Sequence, residues 1–343
     1  MRHFAEKTQH KAKIAMYLKM LSTVAVLLAC ALPPAARAGS LSTEVIGMFP
    51  QNAGEVAYAD LRQARNLSWY PQLREQMLPQ RFRQLEKILT SAGVDPDSQI
   101  EELAWALVPG DSPASTSKNI TMPAGDEVVG VVLGQFSPEK AEAYFNARKL
   151  AVVKVRDYSV YAFDGDLFFC FIDSNTAAFG QRKELEKLIA VRYGEEQSLL
   201  SNAELAPLIS QANGRGVVWS VLSAPYARLA MQQLVPQTAE FPQGQQLVSN
   251  VRALTIEISV ANGVQAHFEA ACASPDDANA IAALLQAGLL YQSYQVADSN
   301  PDMAAMLLQA EVAPFGDRLE VVLELTDDQV VGLIQRKTFA IHL

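Results

Sequence analysis

Histidine is scarce in this sequence, and its scarcity excludes a large class of catalysis. The 343 residues contain four histidines, and two of these lie in the first ten residues. A Ser-His-Asp or Cys-His nucleophile needs a positioned imidazole as its general base. Of the remaining two, His342 is next to the last residue, and His267 alternates with the apolar residues Ala266 and Phe268. This alternation is typical of a strand, so we expect no histidine-dependent hydrolase.

Metal-binding and phosphate-binding motifs are also missing from the sequence. Zinc sites need clustered cysteine and histidine at ligand spacing, and the three cysteines, Cys30, Cys170 and Cys272, are far apart. No G-x-x-x-x-G-K-[ST] loop occurs, and no G-x-G-x-x-G lies between a strand and a helix. We therefore expect no metal and no cofactor.

What the sequence does contain at its start is a segment unlike the rest. A basic stretch is followed by about thirteen apolar residues, MLSTVAVLLACAL, and then by small residues around Ala36 and Ala38. This pattern is typical of a secretory signal peptide, and the apolar run is shorter than the roughly 20 residues of a spanning helix. We expect residues 1–38 to be removed after Ala38, giving an exported protein, periplasmic or extracellular.

Cys30 offers an alternative fate for this segment. The letters LLAC resemble a lipobox, whose cysteine becomes the lipidated first residue of a lipoprotein. An uncleaved signal is a third reading. Contact with a membrane is expected only through such an anchor or uncleaved signal.

Net charge restricts the partners of the processed chain. Removal of residues 1–38 takes away six basic residues and one acidic residue, leaving 22 Lys and Arg against 36 Asp and Glu, a net charge of −14. Nucleic-acid binding needs a basic surface to neutralise phosphates. We therefore expect no nucleic-acid partner.

Two further cysteines admit two interpretations. Cys170 and Cys272 each lie in an apolar, strand-like run. In an oxidising compartment they could form a disulfide that closes a loop of about 100 residues. Cysteine is also among the most buried residue types, so two separately buried thiols are the other reading, and we favour it.

The chain carries one structural plan twice. SPEKAEAYF begins at Ser137 and SPDDANAIA at Ser274, each after a strand-like run and 137 residues apart. Serine is a good N-cap, and proline suits the first helical position. The flanking elements keep their order, so we predict an α+β fold with a duplicated framework: two tandem repeats in the β-α-β-β-α-β order of ferredoxin-like folds. Their sheets should be mainly antiparallel, with helices on one face. The predicted boundaries are 39–201, a linker at 202–213, and 214–343.

A basic segment is the most distinctive candidate for a binding surface. Residues 61–90 contain six basic and two acidic residues, a local charge of +4 in an acidic chain. The ligand or partner surface that we predict consists of Arg62, Arg65, Trp69, Tyr70, Arg74, Arg81 and Arg83. The other reading is structural, with the arginines paired to acidic neighbours and Trp69 in the core.

These observations predict a non-enzymatic exported binding or scaffold protein, whose partner in the cell envelope is an unknown protein or small molecule. The alternative is a hydrolase that uses carboxylates in a site between the two repeats. A structural lipoprotein of the envelope is a third reading, and it depends on Cys30. Most acidic pairs, such as Asp164 and Asp166 around Gly165, lie where turns or helix starts favour them.

Overall fold

The computed structural model describes residues 39–77, 80–110, 112–117, 120–124, 126–164, 166–234, 242–260 and 263–336. The chain divides into two compact units. Unit A contains residues 39–63 and 80–225, and unit B contains residues 64–77 and 226–336. The predicted α+β class is confirmed, and the sheets are antiparallel.

The strands are β1 (Glu55–Asp60), β2 (Ile100–Val108), β3 (Ser112–Ser117), β4 (Ile120–Ala124), β5 (Glu127–Gly134), β6 (Val152–Val155), β7 (Tyr158–Asp164), β8 (Leu167–Phe171), β9 (Thr176–Gln181), β10 (Val218–Ser223), β11 (Val251–Ser259), β12 (Val264–Cys272), β13 (Glu311–Phe315) and β14 (Arg318–Leu325). The helices are α1 (Thr43–Ile46), α2 (Leu61–Ala64), α3 (Tyr70–Met77), α4 (Gln80–Ser91), α5 (Pro96–Gln99), α6 (Pro138–Ala147), α7 (Arg182–Arg192), α8 (Leu205–Ala212), α9 (Ala224–Leu234), α10 (Pro242–Ser249), α11 (Pro275–Val296), α12 (Pro301–Gln309) and α13 (Asp327–Gln335). A short 3-10 helix spans Leu199–Ser201.

Unit A is built on a sheet in the order β10-β1-β2-β5-β9-β8-β7-β6, with a separate β3-β4 hairpin. Side chains alternate between the two faces of each strand. On one face, Val129 and Val131 of β5 pack in a core with α1, α7 and α8. On the other face, Val132 of β5 packs with α4 and α6. Helices therefore cover both faces in unit A, and not one face as predicted, because the strands carry apolar residues on both sides.

Glycine at position 130 allows the second core of unit A to close. Gly130 of β5 lies directly opposite Phe179 of β9. A Cβ atom at Gly130 would overlap the Phe179 ring. The ring therefore lies over bare backbone, which only glycine permits.

Unit B contains a four-stranded sheet in the order β13-β14-β12-β11. Helices α11 and α12 pack against each other and against β14. Helix α3 belongs to this unit although it comes early in the chain, and the Gln76 amide donates a hydrogen bond of 2.7 Å to the carbonyl of Ile334.

The two Ser-Pro motifs both open a helix, as predicted, but their caps differ. Ser274 accepts a hydrogen bond from the Asp277 amide, and its hydroxyl donates to the Asp277 carboxylate at 2.6 Å. Ser137 occupies the same position before α6, but its side chain makes no capping hydrogen bond. The proline and the acidic first turn are therefore the features that the two helix starts share.

The segment predicted to be a linker, residues 202–213, contains α8. Leu205, Ile209 and Ala212 recur on one helical face and are buried in the core of unit A. The Asn202 side chain accepts hydrogen bonds from the amides of Glu204 and Leu205. This stretch is therefore an integral helix of unit A.

Candidate functional site

A group of charged side chains lies where β1 ends and β2 begins, within unit A. Asp60 and Glu102 face each other directly across the two strands. The register shifts between Ile100 and Glu102, so Glu101 lies in an irregular part of the ladder. We call this group the Asp60 cluster, and its members are Tyr58, Asp60, Arg62, Glu101 and Glu102.

Arg62 is the cation of the Asp60 cluster. Its guanidinium lies 2.7 Å from Glu102, 3.2 Å from Glu101 and 3.8 Å from Asp60. Three carboxyl groups therefore surround one positive charge. With all of them ionised, the cluster has a net charge of −2.

The inner part of the cluster is buried. Asp60 is 2% exposed, and its carboxylate accepts hydrogen bonds from the Gln63 backbone amide at 3.0 Å and side-chain amide at 2.6 Å. Tyr58 is fully buried and stacks on Trp219 at 5.7 Å between ring centroids. Its hydroxyl has no hydrogen bond of normal geometry among the described residues, although Glu102 lies close to it.

Burial also changes the acidity of these groups. The pKa of the Tyr58 hydroxyl is raised, first by burial and then by the negative charges of Glu102 and Asp60. The pKa of Glu102 is raised by burial, although Arg62 opposes this effect. The cluster therefore favours additional positive charge.

Removing the cation tests this electrostatic balance. We expect Arg62→Gln to lower the free energy of unfolding by about 1 kcal/mol at pH 7, a modest value because half of the Arg62 side chain is exposed. The loss should shrink as the pH falls and Glu102, whose pKa is raised, becomes protonated. Chemical denaturation at pH 7 and pH 4 measures both values. Arg156→Gln, which removes an exposed ion pair with Glu195 and a contact with the Tyr193 ring, is the control. An equal and pH-independent loss in both variants would contradict this interpretation.

A second buried carboxyl group lies at the other end of β1. Glu55 is fully buried, and its Oε1 accepts a hydrogen bond of 2.7 Å from the Ser220 hydroxyl. Its Oε2 has no hydrogen-bond partner among the described residues. Burial raises the pKa of Glu55 to about 8, so the carboxyl group is mostly protonated at neutral pH.

The residues of the predicted basic surface lie in different environments. Arg62 contacts the three carboxylates described above, and Trp69 is 2% exposed in unit B, so its indole is not presented to solvent. The half-buried members are Arg65, Tyr70 and Arg74. Arg83 is exposed on α4, and the Arg81 side chain lies outside the described residues. The contacts of Arg62 and the burial of Trp69 agree with the structural interpretation of this segment, in which the arginines pair with acidic neighbours and Trp69 lies in the core.

The cysteines and His267 lie in ordinary strand positions. Cys170 and Cys272 are free and buried, and burial raises their pKa values to about 12 and about 11. Such thiols are not nucleophiles at neutral pH. His267 lies on β12, as predicted, opposite Glu257, whose carboxylate lies 3.8 Å from the imidazole Nδ1 and raises the pKa of the imidazole. Cys30 and His342 lie outside the described residues.

The described part of the chain contains neither a candidate metal site nor a candidate membrane-spanning helix. It contains no group of three His, Cys, Asp or Glu side chains placed to hold a metal ion. No helix in it is long and apolar enough to cross a bilayer.

Sequence reasoning did not select Tyr58, Asp60, Glu55 or Ser220. The run GEVAYAD could have indicated these residues, because it has an acidic residue near each end of an apolar strand. Charged residues inside strands that are buried on both faces are unusual, since an unpaired buried charge costs free energy. The pattern alone, however, does not identify the partners that β2 and β10 supply.

Known structures show a distant similarity to this chain. Chains from crystal forms I and III of a protein named TP0453 are 10% identical to it, over 86% of this chain and 99% of theirs, with TM-scores of 0.47. A chain from crystal form IV is 11% identical, over 85% of this chain and 97% of its own, with a TM-score of 0.48. No protein-family model and no curated protein matches the sequence. A similarity at this level does not extend to function.

Proposed function

We propose that this chain is an exported, non-enzymatic binding or scaffold protein whose partner is another protein. The observation that carries the proposal is an exposed apolar surface in unit B, which we call the α11 face. It consists of Leu290, Tyr291 and Tyr294 on α11 with Leu308 on α12, each between 47% and 75% exposed. Exposed apolar patches on soluble proteins often mark interaction sites.

The sequence of α11 explains why it exposes apolar side chains. Its inner side buries Ile281 and Leu285, but Leu290 and Tyr294, four residues apart, share an exposed side that is also apolar. No charged residue occurs from position 278 to position 297. An exposed helix side that carries large apolar side chains and no charge is suited to being covered by a partner.

The composition of the α11 face favours a protein as its partner. Interface cores are depleted in charge and enriched in tyrosine, and both features occur here. An anionic surface is a poor partner, because the processed chain has a net charge of −14 and Asp298 and Asp302 flank the face. We therefore assign the face to a polypeptide with an apolar, uncharged contact surface.

The buried carboxyl groups support binding rather than hydrolysis. The two groups with the most unusual surroundings, Glu55 and Asp60, are 0% and 2% exposed. A general acid or base must come within hydrogen-bonding reach of a substrate. Neither group offers that access within unit A, which supports the non-enzymatic proposal over the carboxylate hydrolase.

The duplicated framework is also part of this proposal. In unit A, β2 and β5 form a pair, α6 follows, and β9 returns to pair antiparallel with β5. In unit B, β11 and β12 form a pair, α11 follows, and β14 returns to pair antiparallel with β12. The two Ser-Pro helix starts occupy equivalent places in this path, which supports an internal duplication.

A photo-crosslinking amino acid at position 294 tests the α11 face in the cells that export the protein. We expect one discrete adduct whose mass exceeds that of the chain by the mass of one partner. A second change, Leu290→Glu, should abolish the adduct because it places a charge in an apolar contact. The control is the same crosslinker at Leu200 in unit A, an exposed leucine with the same exposed fraction as Leu290, 47%.

The outcomes distinguish a different protein partner from a second copy of this chain. An adduct lost in the Leu290→Glu variant supports a protein partner, and an adduct of two copies of this chain identifies self-association instead. No adduct at position 294, or equal adducts at both positions, would contradict the proposal. The intact mass of the exported chain tests the other part of the proposal, which is export with removal of residues 1–38. A start at Gly39 is the expected result. A start at Cys30 with added acyl mass favours the lipoprotein, and a start at Met1 contradicts processing.

A further inference from the structure

Gly39, the residue after the predicted cleavage site, lies against the Asp60 cluster. A Cβ atom placed on Gly39 would overlap both the Asp60 Oδ2 and the Tyr58 hydroxyl oxygen, at less than 3 Å. Because the N–Cα and Cα–Cβ bonds are each about 1.5 Å long, the Gly39 nitrogen lies within roughly 6 Å of both oxygens. The end of the processed chain would therefore lie near two buried oxygen atoms.

The residues after Gly39 hold it in this position. The Leu41 amide donates to the Asn213 side-chain oxygen, and the Asn213 side-chain amide donates back to the Leu41 carbonyl, both at 2.8 Å. The Leu41 side chain is 2% exposed and belongs to the core of unit A. Ser42 then caps α1. The segment is therefore fixed two residues after the cleavage site.

The cluster offers acceptor atoms besides the one through which Arg62 approaches Asp60. Arg62 approaches Asp60 through Oδ1, whereas Oδ2 accepts from Gln63 and faces Gly39. The Tyr58 hydroxyl, fully buried, has no hydrogen bond of normal geometry in the described part of the chain. An ammonium group has three donors and one positive charge, which suits both oxygens.

We propose that removal of residues 1–38 creates a new α-ammonium group at Gly39 that binds to Asp60 Oδ2 and the Tyr58 hydroxyl oxygen. The inference rests on cleavage after Ala38, which is part of the proposed function. Before cleavage, the Gly39 nitrogen belongs to a neutral amide with one donor. After cleavage, it carries the charge that the net −2 cluster lacks, so processing completes an internal ion-pair site in the exported protein.

The site predicts a pH-dependent stabilisation of definite sign. An ordinary α-ammonium group has a pKa of about 8, and the facing carboxylates of Asp60, Glu101 and Glu102 should raise it, with Arg62 opposing them. Since the pKa is higher in the folded protein, the stabilisation is complete below about pH 8 and is lost as the pH rises through the raised pKa. The Tyr58 hydroxyl, whose pKa is raised by burial, stays neutral at these pH values.

The reactivity of the terminal amine measures this pKa directly. The processed protein is purified from exporting cells, its start is read from the intact mass, and the amine is acylated at pH values from 6.5 to 10. We expect the midpoint of the pH profile to lie at least one pH unit above 8, giving about tenfold less reactive amine at pH 7.5 than an ordinary terminus. The midpoint is the readout, because steric shielding lowers the plateau rate without moving the midpoint.

Three variants make the experiment specific. Asp60→Asn should return the midpoint to about 8, and Tyr58→Phe should move it part of the way without disturbing the fold, since the Tyr58 hydroxyl makes no hydrogen bond of normal geometry to the described residues. Glu102→Gln replaces Asp60→Asn if that variant fails to fold. Glu44→Gln, an exposed carboxylate on α1 that pairs with Arg192, is the control and should leave the midpoint unchanged.

Failure of the inference and failure of the proposed processing are distinguishable. A start other than Gly39 would overturn both, because no ammonium group would then form at the cluster. A start at Gly39 with a midpoint near 8, or with the same raised midpoint in Asp60→Asn, Glu102→Gln and Tyr58→Phe, would overturn the inference alone.

Discussion

Replacing Trp69 with alanine is expected to lower the free energy of unfolding by about 3–5 kcal/mol, the usual loss for a buried tryptophan. Trp69 is 2% exposed and lies with the buried Leu67 and Leu73 around the start of α3. Its removal leaves a large cavity and exposes their apolar surface. Urea unfolding followed by far-ultraviolet circular dichroism measures the change without depending on the tryptophan that is removed.

The Trp69 variant decides between the two readings of the basic segment. Arg83→Ala is the matched control, because Arg83 is exposed on α4 and its loss should change stability by less than about 0.5 kcal/mol. If Trp69→Ala left stability unchanged and abolished the adduct formed at position 294, Trp69 would belong to a binding surface. A large loss of stability would assign it to the core of unit B.

Glu55 should make the protein less stable as the pH rises from about 5 to 8. Burial raises the pKa of this carboxyl group from 4.5 to about 8, so the folded protein holds a proton that the unfolded chain has released. Over this range the free energy of unfolding falls by about 1.4 kcal/mol per pH unit. By pH 7 the accumulated cost is about 3 kcal/mol, compared with a neutral side chain of the same shape.

The Glu55→Gln variant provides a neutral side chain of the same shape as Glu55. We expect this variant to abolish the slope between pH 5 and 8, with its amide oxygen still accepting from the Ser220 hydroxyl at the position of Oε1. Ser220→Ala is the companion variant, because the Ser220 hydrogen bond lowers the pKa of Glu55 and its loss should raise that pKa further. Urea unfolding at half-unit pH intervals measures the slopes, and an equal slope in the wild type and in Glu55→Gln would contradict the assignment.

The elements that the sequence predicted well are those specified by neighbouring residues. The helix starts after Ser137 and Ser274 follow from a proline at the first helical position and an acidic first turn, all within four residues. Capping and helical spacing act over one or two turns, so a short stretch of sequence contains them.

The helix in residues 202–213 shows where this reasoning failed. Leu205, Ile209 and Ala212 have helical spacing, although residues 202–213 were predicted to be a linker between the two repeats. Its burial depends on the side chains of α1 and α7 in the same core. Short helices gain most of their stability from such packing and little from their own sequence.

By itself, the sequence determined the α+β class, the positions of the Ser-Pro helix starts, the acidic balance and the shortage of catalytic histidine, because these are local or compositional properties. Only the tertiary structure decided that Arg62 faces three carboxylates, that Tyr58 and Asp60 lie beside Gly39, and that Trp69 is buried. The contacts of Arg62 with Glu101 and Glu102 depend on strand register over about 40 residues of chain. Burial and charge pairing depend on which strands meet, and no spacing within one segment of sequence specifies that.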